Sequence, residues 1–121
     1  MHKYKSKFEE QIAPILTNYL ETTEIYEQDR FSYTIPCNYT PDWKITPNLY
    51  VESKGLFDQA DRRKMKIVKD TYPDITFIML FQDPNKRIAK NSKTTYKDWC
   101  IKNGFVCTDI YNLISTIKAY L

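Results

Sequence analysis

Two carboxylic acids and a lysine are spaced so that a short hairpin would bring them together: Asp42, Glu52 and Lys54. β-like runs on either side of the turn signal at residues 46–48 predict a hairpin that returns Asp42 alongside Glu52. In the second run alternate side chains share a face of the strand, so Tyr50, Glu52 and Lys54 lie on one side. We therefore expect two carboxylates and one ammonium group around a single point.

Such a group of side chains suits hydrolysis of a phosphodiester. Carboxylates of Asp42 and Glu52 would hold a hard cation such as Mg²⁺, which prefers oxygen ligands. A metal-bound water becomes a usable nucleophile near neutral pH, and Lys54 could orient it or stabilise the developing charge. The alternative is an ordinary surface hairpin with a Glu/Lys pair. Pro41 before Asp42, the turn spacing and Gly55 directly after Lys54 favour the site.

A third carboxylate belongs to the first predicted element, a helix from residue 6 to about residue 20. Apolar residues recur there at helical spacing: Phe8, Ile12, Ile15, Leu16, Tyr19 and Leu20. Ser6 and Glu9 match a capping box, in which the Glu9 side chain accepts the Ser6 backbone N–H. Glu9 also falls within the apolar arc, where a carboxylate needs a partner that a metal site would supply. Pro14 predicts a kink or a late helix start.

The pattern Pro41-Asp42, nine residues, then Glu52-Ser53-Lys54 resembles the signature of PD-(D/E)XK nucleases. The stretches 6–9, 33–42 and 92–100 are similar to the phage endonuclease I family, the Holliday-junction resolvases. The resemblance covers most of the chain. It implies an α/β fold with a PD-(D/E)XK nuclease-like mixed central β-sheet flanked by helices, forming one nuclease domain over residues 1–121. The implied activity is that of a metal-dependent endodeoxyribonuclease on branched DNA, the four-way junction.

The same resemblance assigns roles to individual residues. Glu9, Asp42, Glu52 and Lys54 would be the catalytic set. Glu9, Asp42, Glu52 and Ser53, the last through its carbonyl oxygen, would hold Mg²⁺ or Mn²⁺, two ions per active site. Lys54 would assist the attacking water or the transition state.

The resemblance also implies a homodimer with exchanged elements. Residues 1–35 would form an N-terminal helix and a strand over 24–35, residues 36–40 an extended connector, and residues 41–121 the catalytic core. Pro36 cannot donate to a strand ladder, which favours a connector rather than a tight turn. We therefore expect a domain-swapped homodimer in which Glu9 of one chain serves the core of its partner.

Charge is distributed unevenly along the chain. Residues 1–61 hold six basic and ten acidic residues, whereas residues 62–121 hold twelve and five. A basic half is the electrostatic footprint of a protein that binds a polyanion. Candidate phosphate contacts lie on a helix predicted over 58–71 and in a loop after a buried strand at 75–81; they are Arg62, Arg63, Lys66, Lys69, Lys86, Arg87, Lys90 and Lys93.

On that helix we expect Arg62, Lys66 and Lys69 to share an outer face. An inner stripe should then face the sheet, and its predicted members are Ala60, Lys64, Ile67, Val68 and Thr71. The alternative is that these charges form an ordinary solvated helix face.

Composition excludes several other classes of protein. No apolar run approaches the ~20 residues of a membrane span, so no membrane partner is expected. No apolar stretch follows the basic N-terminal residues, so a cytoplasmic phage or bacterial protein is expected. Three cysteines without a zinc-binding spacing suit a reducing compartment. Two other functions stay open: a nuclease of the same fold acting on linear duplex DNA, and a DNA-binding module without catalysis.

Overall fold

The computed structural model describes residues 4–22, 24–33 and 37–121. Its elements in chain order are α1 (Lys7–Leu20), β1 (Phe31–Tyr33), β2 (Cys37–Tyr39), β3 (Trp43–Thr46), β4 (Leu49–Lys54), α2 (Gln59–Thr71), β5 (Thr76–Phe81), α3 (Tyr96–Asn103), β6 (Val106–Thr108) and α4 (Leu113–Ala119). The predicted α/β class is therefore confirmed, with helices flanking a mixed central sheet of four strands in the order β3-β4-β5-β6.

The central sheet combines one hairpin with two parallel pairings. β3 and β4 are antiparallel neighbours joined by a two-residue turn at 47–48, as the turn signal predicted. β4 pairs with β5 in parallel, and β5 with β6 in parallel. β5 is apolar at nearly every position because helices cover both faces of the sheet.

Two hydrophobic clusters lie on opposite faces of this sheet. Ile78 and Leu80 of β5 pack with residues of α1 and α4 on one face, and Phe77 and Met79 pack with residues of α2 and α3 on the other. Alternate residues of β5 thus enter different clusters, as the period of a strand requires. Because both faces of the sheet are packed, the ends of its strands are held rigidly.

Helix α1 starts where the sequence predicted, but its cap differs in one bond. The Ser6 hydroxyl accepts the Glu9 N–H at 3.1 Å. The predicted return bond from the Glu9 carboxylate to the Ser6 N–H is wrong, because that carboxylate accepts the Lys5 N–H instead, at 3.0 Å. Pro14 lies on the exposed side of a continuous helix, so the late helix start is also wrong.

The strand predicted over residues 24–35 is wrong over most of its length. Only Phe31–Tyr33 is a strand; Tyr26 makes an isolated bridge with Trp43, and Glu27 adopts a left-handed conformation with φ 50° that interrupts an extended run. Residues 34–36, including Ile35, lie outside the described residues.

The segment expected to be an extended connector over residues 36–40 is extended where it is described, but it is paired as a strand. Cys37–Tyr39 is a strand that pairs antiparallel with β1 of the same chain, with Tyr33 opposite Cys37. Pro36 lies outside the described residues. The segment before the hairpin is therefore itself folded back on β1.

Helix α2 begins as predicted, but it is rotated about its axis relative to the prediction. Asp58 caps it by accepting the Asp61 N–H at 2.9 Å. Its buried residues are Met65 and Val68, whereas Ala60 and Thr71 of the predicted inner stripe are exposed and Lys64 and Ile67 are half-buried. The buried face is set by contact with Phe57 and Phe77 rather than by the helix's own apolar pattern.

Two helices complete the C-terminal part of the fold. Gly104 ends α3 in a left-handed conformation, φ 80°, which glycine adopts readily. The last helix begins at Leu113. Asp109 accepts the Asn112 N–H in the turn before the helix. None of the helices in the described part of the chain is long and apolar enough to cross a membrane.

Candidate active site

A cleft of about 380 Å³ opens at the carboxyl end of β4. It is lined by Lys5, Glu9, Asn38, Tyr39, Thr40, Asp42, Glu52, Ser53, Lys54 and Lys64. The structure therefore places all five residues predicted for catalysis and metal binding in one cavity. Contributions come from α1, β2, the β3–β4 hairpin and α2.

The hairpin brings Asp42 and Glu52 together as the sequence predicted. Trp43 pairs with Val51, which sets Asp42 across from Glu52. The Asp42 N–H donates to Glu52 Oε1 at 3.2 Å. Asp42 Oδ2 accepts two bonds from Ser53, from the N–H at 2.9 Å and from the hydroxyl at 2.8 Å. Both carboxylates are buried, and the strand pairing fixes their separation.

Lys54 closes the outer side of this pair. Its Nζ lies 3.6 Å from Glu52 Oε2 and 3.3 Å from Asp61 Oδ1 on α2. Burial alone would lower the pKa of Lys54, but the carboxylates of Glu52 and Asp61 outweigh burial and raise it. Lys54 is therefore an ammonium group held between two acids at neutral pH.

The pKa values of the two buried acids are both raised above their ordinary range. Burial, together with the neighbouring Glu52 carboxylate, raises the pKa of Asp42 to about 8. Burial also raises the pKa of Glu52, although Lys54 and the Tyr39 hydroxyl oppose the shift. Two like charges close together in a low-dielectric cleft repel each other, so a cation bound between them would be stabilising. The chemistry of these donors therefore fits a divalent metal ion.

Glu9 reaches the cleft from α1 and is held there by residues far away in sequence. Its Oε1 accepts a short hydrogen bond from the Tyr26 hydroxyl and a second bond from the Lys5 N–H at 3.0 Å. Glu9 is buried, as the apolar arc predicted. Its partner is thus a phenol, which the sequence pattern did not indicate.

All three carboxylates share one arrangement. In each of them one oxygen accepts two hydrogen bonds from the protein: Oε1 of Glu9, Oδ2 of Asp42 and Oε1 of Glu52. Within the described ranges the second oxygen of each accepts no hydrogen bond, apart from the 3.6 Å ion pair between Glu52 and Lys54. One oxygen orients the side chain, and the other is available to a ligand.

Over the described ranges, no three His, Cys, Asp or Glu side chains are grouped closely enough to hold a metal ion. Mg²⁺ is commonly bound by one or two carboxylates together with substrate phosphate oxygens and water. The buried pair Asp42 and Glu52, in each of which one oxygen accepts no hydrogen bond from the described residues, fits that mode of binding.

Besides Lys5, Asn38 and Thr40, which also line the cleft, four side chains in or beside it were not predicted as site residues. Tyr39 and Tyr26 donate to Glu52 and Glu9, Asp61 contacts Lys54, and Lys64 lies with its Nζ 5.4 Å from the centre of the Tyr39 ring. Asp61 could have been found from the sequence. It lies one helical turn after Asp58, the cap of α2, and Asp58 closely follows Lys54. The two tyrosines could not have been found in this way, because their contacts depend on tertiary folding.

The predicted basic loop forms an exposed surface beside the cleft. It is bent back on itself, with the Ile88 N–H donating to the Thr94 carbonyl at 2.9 Å. Its four candidate residues are all exposed: Lys86, Arg87, Lys90 and Lys93. Counting only partners among the described residues, none of the four side chains forms an ion pair.

A groove of about 590 Å³ runs from Leu56 to this loop. Arg62, Lys86, Arg87 and Lys90 all contribute to its lining. Leu56 follows Lys54 by only two residues, so the groove starts next to the carboxylate cleft. A negatively charged polymer lying in the groove would pass close to the cleft.

The basic residues of α2 do not share the outer face that was predicted. Arg62 donates to the carbonyls of Phe57 and Ile88, at 2.7 and 3.3 Å, and Lys69 donates to Ile75 at 2.8 Å. Arg63 and Lys66 are the exposed members. Arg62 and Lys69 are therefore half-buried residues that tie α2 to neighbouring segments.

The mixed sheet with Asp42, Glu52 and Lys54 at the end of its hairpin is the arrangement of a PD-(D/E)XK nuclease-like domain. More specifically, the chain belongs to the phage endonuclease I family, whose sequence profile matches residues 1–119.

Two curated relatives are similar to this chain. It is 33% identical over 96 residues to endodeoxyribonuclease 1 of Enterobacteria phage T3, and the alignment covers 77% of this chain and 63% of the relative. It is 31% identical over 87 residues to endonuclease I of Escherichia phage T7, and that alignment covers 69% of this chain and 58% of the relative. The matched region thus spans about three fifths of each relative's length.

Proposed function

We propose that this protein is a metal-dependent endodeoxyribonuclease that cleaves branched DNA and resolves Holliday junctions. The observation that carries the proposal is the buried pair Asp42 and Glu52, with Lys54 beside it, in an open cleft next to a basic groove. A protein that only binds DNA gains nothing from burying two acids where phosphate would lie. The names of the two phage relatives, an endodeoxyribonuclease and an endonuclease, support the same chemistry.

In this proposal the residues of the cleft divide the work. Asp42, Glu52 and the Ser53 carbonyl oxygen would hold Mg²⁺ or Mn²⁺, and Glu9 would complete a second metal position. A metal held there would supply an activated water and neutralise charge on the phosphate. Lys54, kept protonated by its acidic neighbours, donates toward the water or the developing phosphorane. Ser53 and the strand pairing keep Asp42 from turning away from that position.

DNA binding is assigned to the exposed cations. Lys86, Arg87, Lys90 and Lys93 of the loop, with Arg63 and Lys66 of α2, would contact phosphates and set the position of the duplex without reading its sequence. Arg62 and Lys69 have structural hydrogen bonds, so their contacts with DNA would be secondary. The expected outcome is strong salt dependence and weak sequence preference.

Cleavage of a labelled four-way junction, compared with a linear duplex of the same sequence with and without Mg²⁺, tests the proposal. We expect the junction to be cut only with metal present, and faster than the duplex. Equal cutting of both substrates would favour the linear-duplex nuclease. Binding without cutting under any metal would favour a DNA-binding module.

We further propose that the protein acts as a domain-swapped homodimer. A four-way junction has near two-fold symmetry and needs two cuts, which a two-fold dimer supplies. In the structure Glu9 lies in the cleft of its own chain. Along the sequence, the paired strands β1 and β2 lie between Glu9 and the hairpin. Exchange of the segment up to β1 between chains would move α1 with Glu9 to a partner while keeping the contact with Tyr26, which lies in the same segment.

Mixing two inactive variants tests the exchange. Glu9→Gln and Glu52→Gln proteins are unfolded together, refolded and checked for heterodimers. In a swapped heterodimer both defects fall in one site, so the other site is intact and nicks one strand. Without exchange each site carries one defect, and the mixture stays inactive. An inactive mixture with confirmed heterodimers would contradict the swap, and a monomer by sedimentation would contradict the dimer.

A further inference from the structure

Glu52 Oε1 is occupied by two donors from outside its own strand. The Tyr39 hydroxyl donates at 2.7 Å and the Asp42 N–H at 3.2 Å. Oε2 faces the cleft, 3.6 Å from Lys54 Nζ. Without the Tyr39 bond, the carboxylate could rotate and present either oxygen, or both, to a cation or to Lys54.

Tyr39 is itself held firmly. Its side chain is 3% exposed, and its ring lies 6.2 Å from the ring of Phe77 and under the Lys64 ammonium group. β2 pairs with β1 through Phe31 opposite Tyr39. The hydroxyl therefore has little freedom except to donate to Glu52.

We propose that Tyr39 is a positioning residue that fixes the Glu52 carboxylate with Oε2 directed to the bound metal. This inference rests on the proposed metal-dependent function. Partners that orient a metal ligand commonly contribute about 10- to 100-fold to metal affinity or activity, because they remove rotational freedom before the metal arrives. Tyr39 touches neither substrate nor metal in this role, and acts only through Glu52.

Tyr50 offers a matched control. It is also 3% exposed, and its hydroxyl also donates at 2.7 Å to a carboxylate, Oδ2 of Asp29. Asp29 does not line the cleft. Tyr50→Phe therefore removes the same atom, at the same residue exposure and bond length, from a hydrogen bond that is only partly buried and that holds no proposed ligand.

The experiment compares Tyr39→Phe and Tyr50→Phe in the full chain by calorimetric titration with Mn²⁺ and by cleavage at increasing Mn²⁺. Both variants keep the aromatic ring, and thermal denaturation checks that both are folded. We expect Tyr39→Phe to bind Mn²⁺ about tenfold more weakly and Tyr50→Phe to stay within about twofold of wild type. High Mn²⁺ should restore most of the maximal cleavage rate of Tyr39→Phe, since the ligand is present but misoriented.

Three results would overturn the inference. Wild-type Mn²⁺ affinity in Tyr39→Phe would show that the hydroxyl does not position the ligand. An equal loss in Tyr50→Phe would show a general effect of losing a buried hydroxyl. A wild-type protein that binds no Mn²⁺ would overturn the metal-dependent function itself, and the inference with it. In that case Glu52→Gln would give the same Mn²⁺ titration as wild type.

Discussion

The carboxylate cleft and the basic loop lie side by side but are built in opposite ways. In the cleft, Glu9, Asp42 and Glu52 are buried, and each has one oxygen tied to two donors. In the loop, Lys86 and Arg87 are exposed and their charged ends extend into solvent. The difference suits two tasks. Bond cleavage needs atoms held within a fraction of an ångström, whereas attraction of a polyanion needs only charge at the surface.

The two regions also differ in their effect on stability. The cleft buries two neighbouring acids whose ionisation is disfavoured, which destabilises the metal-free protein at neutral pH, and Ser53, Tyr39 and Lys54 only partly offset this. The charges of the basic loop are exposed to solvent, so they have little effect on the stability of the fold. Substitutions in the cleft should therefore change the rate of cleavage, and substitutions in the loop should change affinity and its salt dependence.

The largest effect should come from the metal ligands. Asp42→Asn and Glu52→Gln should each slow cleavage by more than about 1,000-fold, because the metal would supply both the nucleophile and charge stabilisation. Junction affinity should stay near wild type. The melting temperature of the metal-free protein should not fall, since each change replaces a buried acid that ionises unfavourably with a neutral amide of the same shape. Single-turnover cleavage, a gel-shift assay and thermal denaturation measure the three quantities; near-normal cutting by either variant would place the site elsewhere.

Lys54→Ala should have the next largest effect. Loss of one donor to developing charge typically slows a reaction by about 100-fold. Mn²⁺ affinity should be largely unchanged, since Lys54 is not a ligand, and removing its charge leaves Glu52 Oε2 free. Cleavage rates and calorimetry together separate the two roles. Equal loss of Mn²⁺ binding in Lys54→Ala and Glu52→Gln would contradict this division.

A smaller effect, on binding alone, is expected from the loop. Changing Lys86, Arg87 and Lys90 together to alanine should weaken binding to any DNA and reduce the slope of log affinity against log salt by up to ~2.7, about 0.9 for each lost phosphate contact. The rate of cleavage at saturating protein should hardly change. Affinity measured at several salt concentrations checks this prediction. An unchanged slope would make the loop a solvated surface without a role in binding.

The smallest effects should divide the basic residues of α2 into two kinds. Replacing Arg63 and Lys66 with alanine should lower the salt slope by up to ~1.8 and leave stability unchanged. Arg62→Ala should instead lower the free energy of unfolding by about 1.5 kcal/mol, because the carbonyls of Phe57 and Ile88 lose a charged donor. Salt titration and urea denaturation of both variants measure the difference. The same response from both variants would mean that burial does not separate their roles.

What could be predicted from the sequence depended on how local the interaction was. Asp42 and Glu52 meet because a hairpin turn joins them, and Asp58 caps α2 within its own first turn, so short-range patterns were sufficient. The strand expected at 24–35 was wrong because β-propensity reports side chains that fit a sheet, not the partner strand that must pair with them. Lys64 was assigned to the inner face because the sequence of the helix alone does not show the packing against β5 that buries Met65.

The tyrosines show the same limit within the site. Tyr26 is 17 residues from Glu9 and Tyr39 is 13 residues from Glu52. No periodicity or motif connects such pairs, since their contacts exist only once α1, β2 and the hairpin are packed together. Sequence patterns indicated which residues would meet in the cleft, and the fold was needed to show what holds them.

The two-residue turn of the β3–β4 hairpin also bears on the order in which the chain assembles. Ordering a short loop costs little chain entropy, and hairpins form in about 1–10 μs. Asp42 and Ser53 are only 11 residues apart, so they can meet early. Parallel pairing of β4 with β5 must wait for α2 to cross the sheet, and Glu9 must wait for α1 to dock against Tyr26. The hairpin half of the cleft should therefore exist in partly folded chains, and Glu9 should join it at a later step.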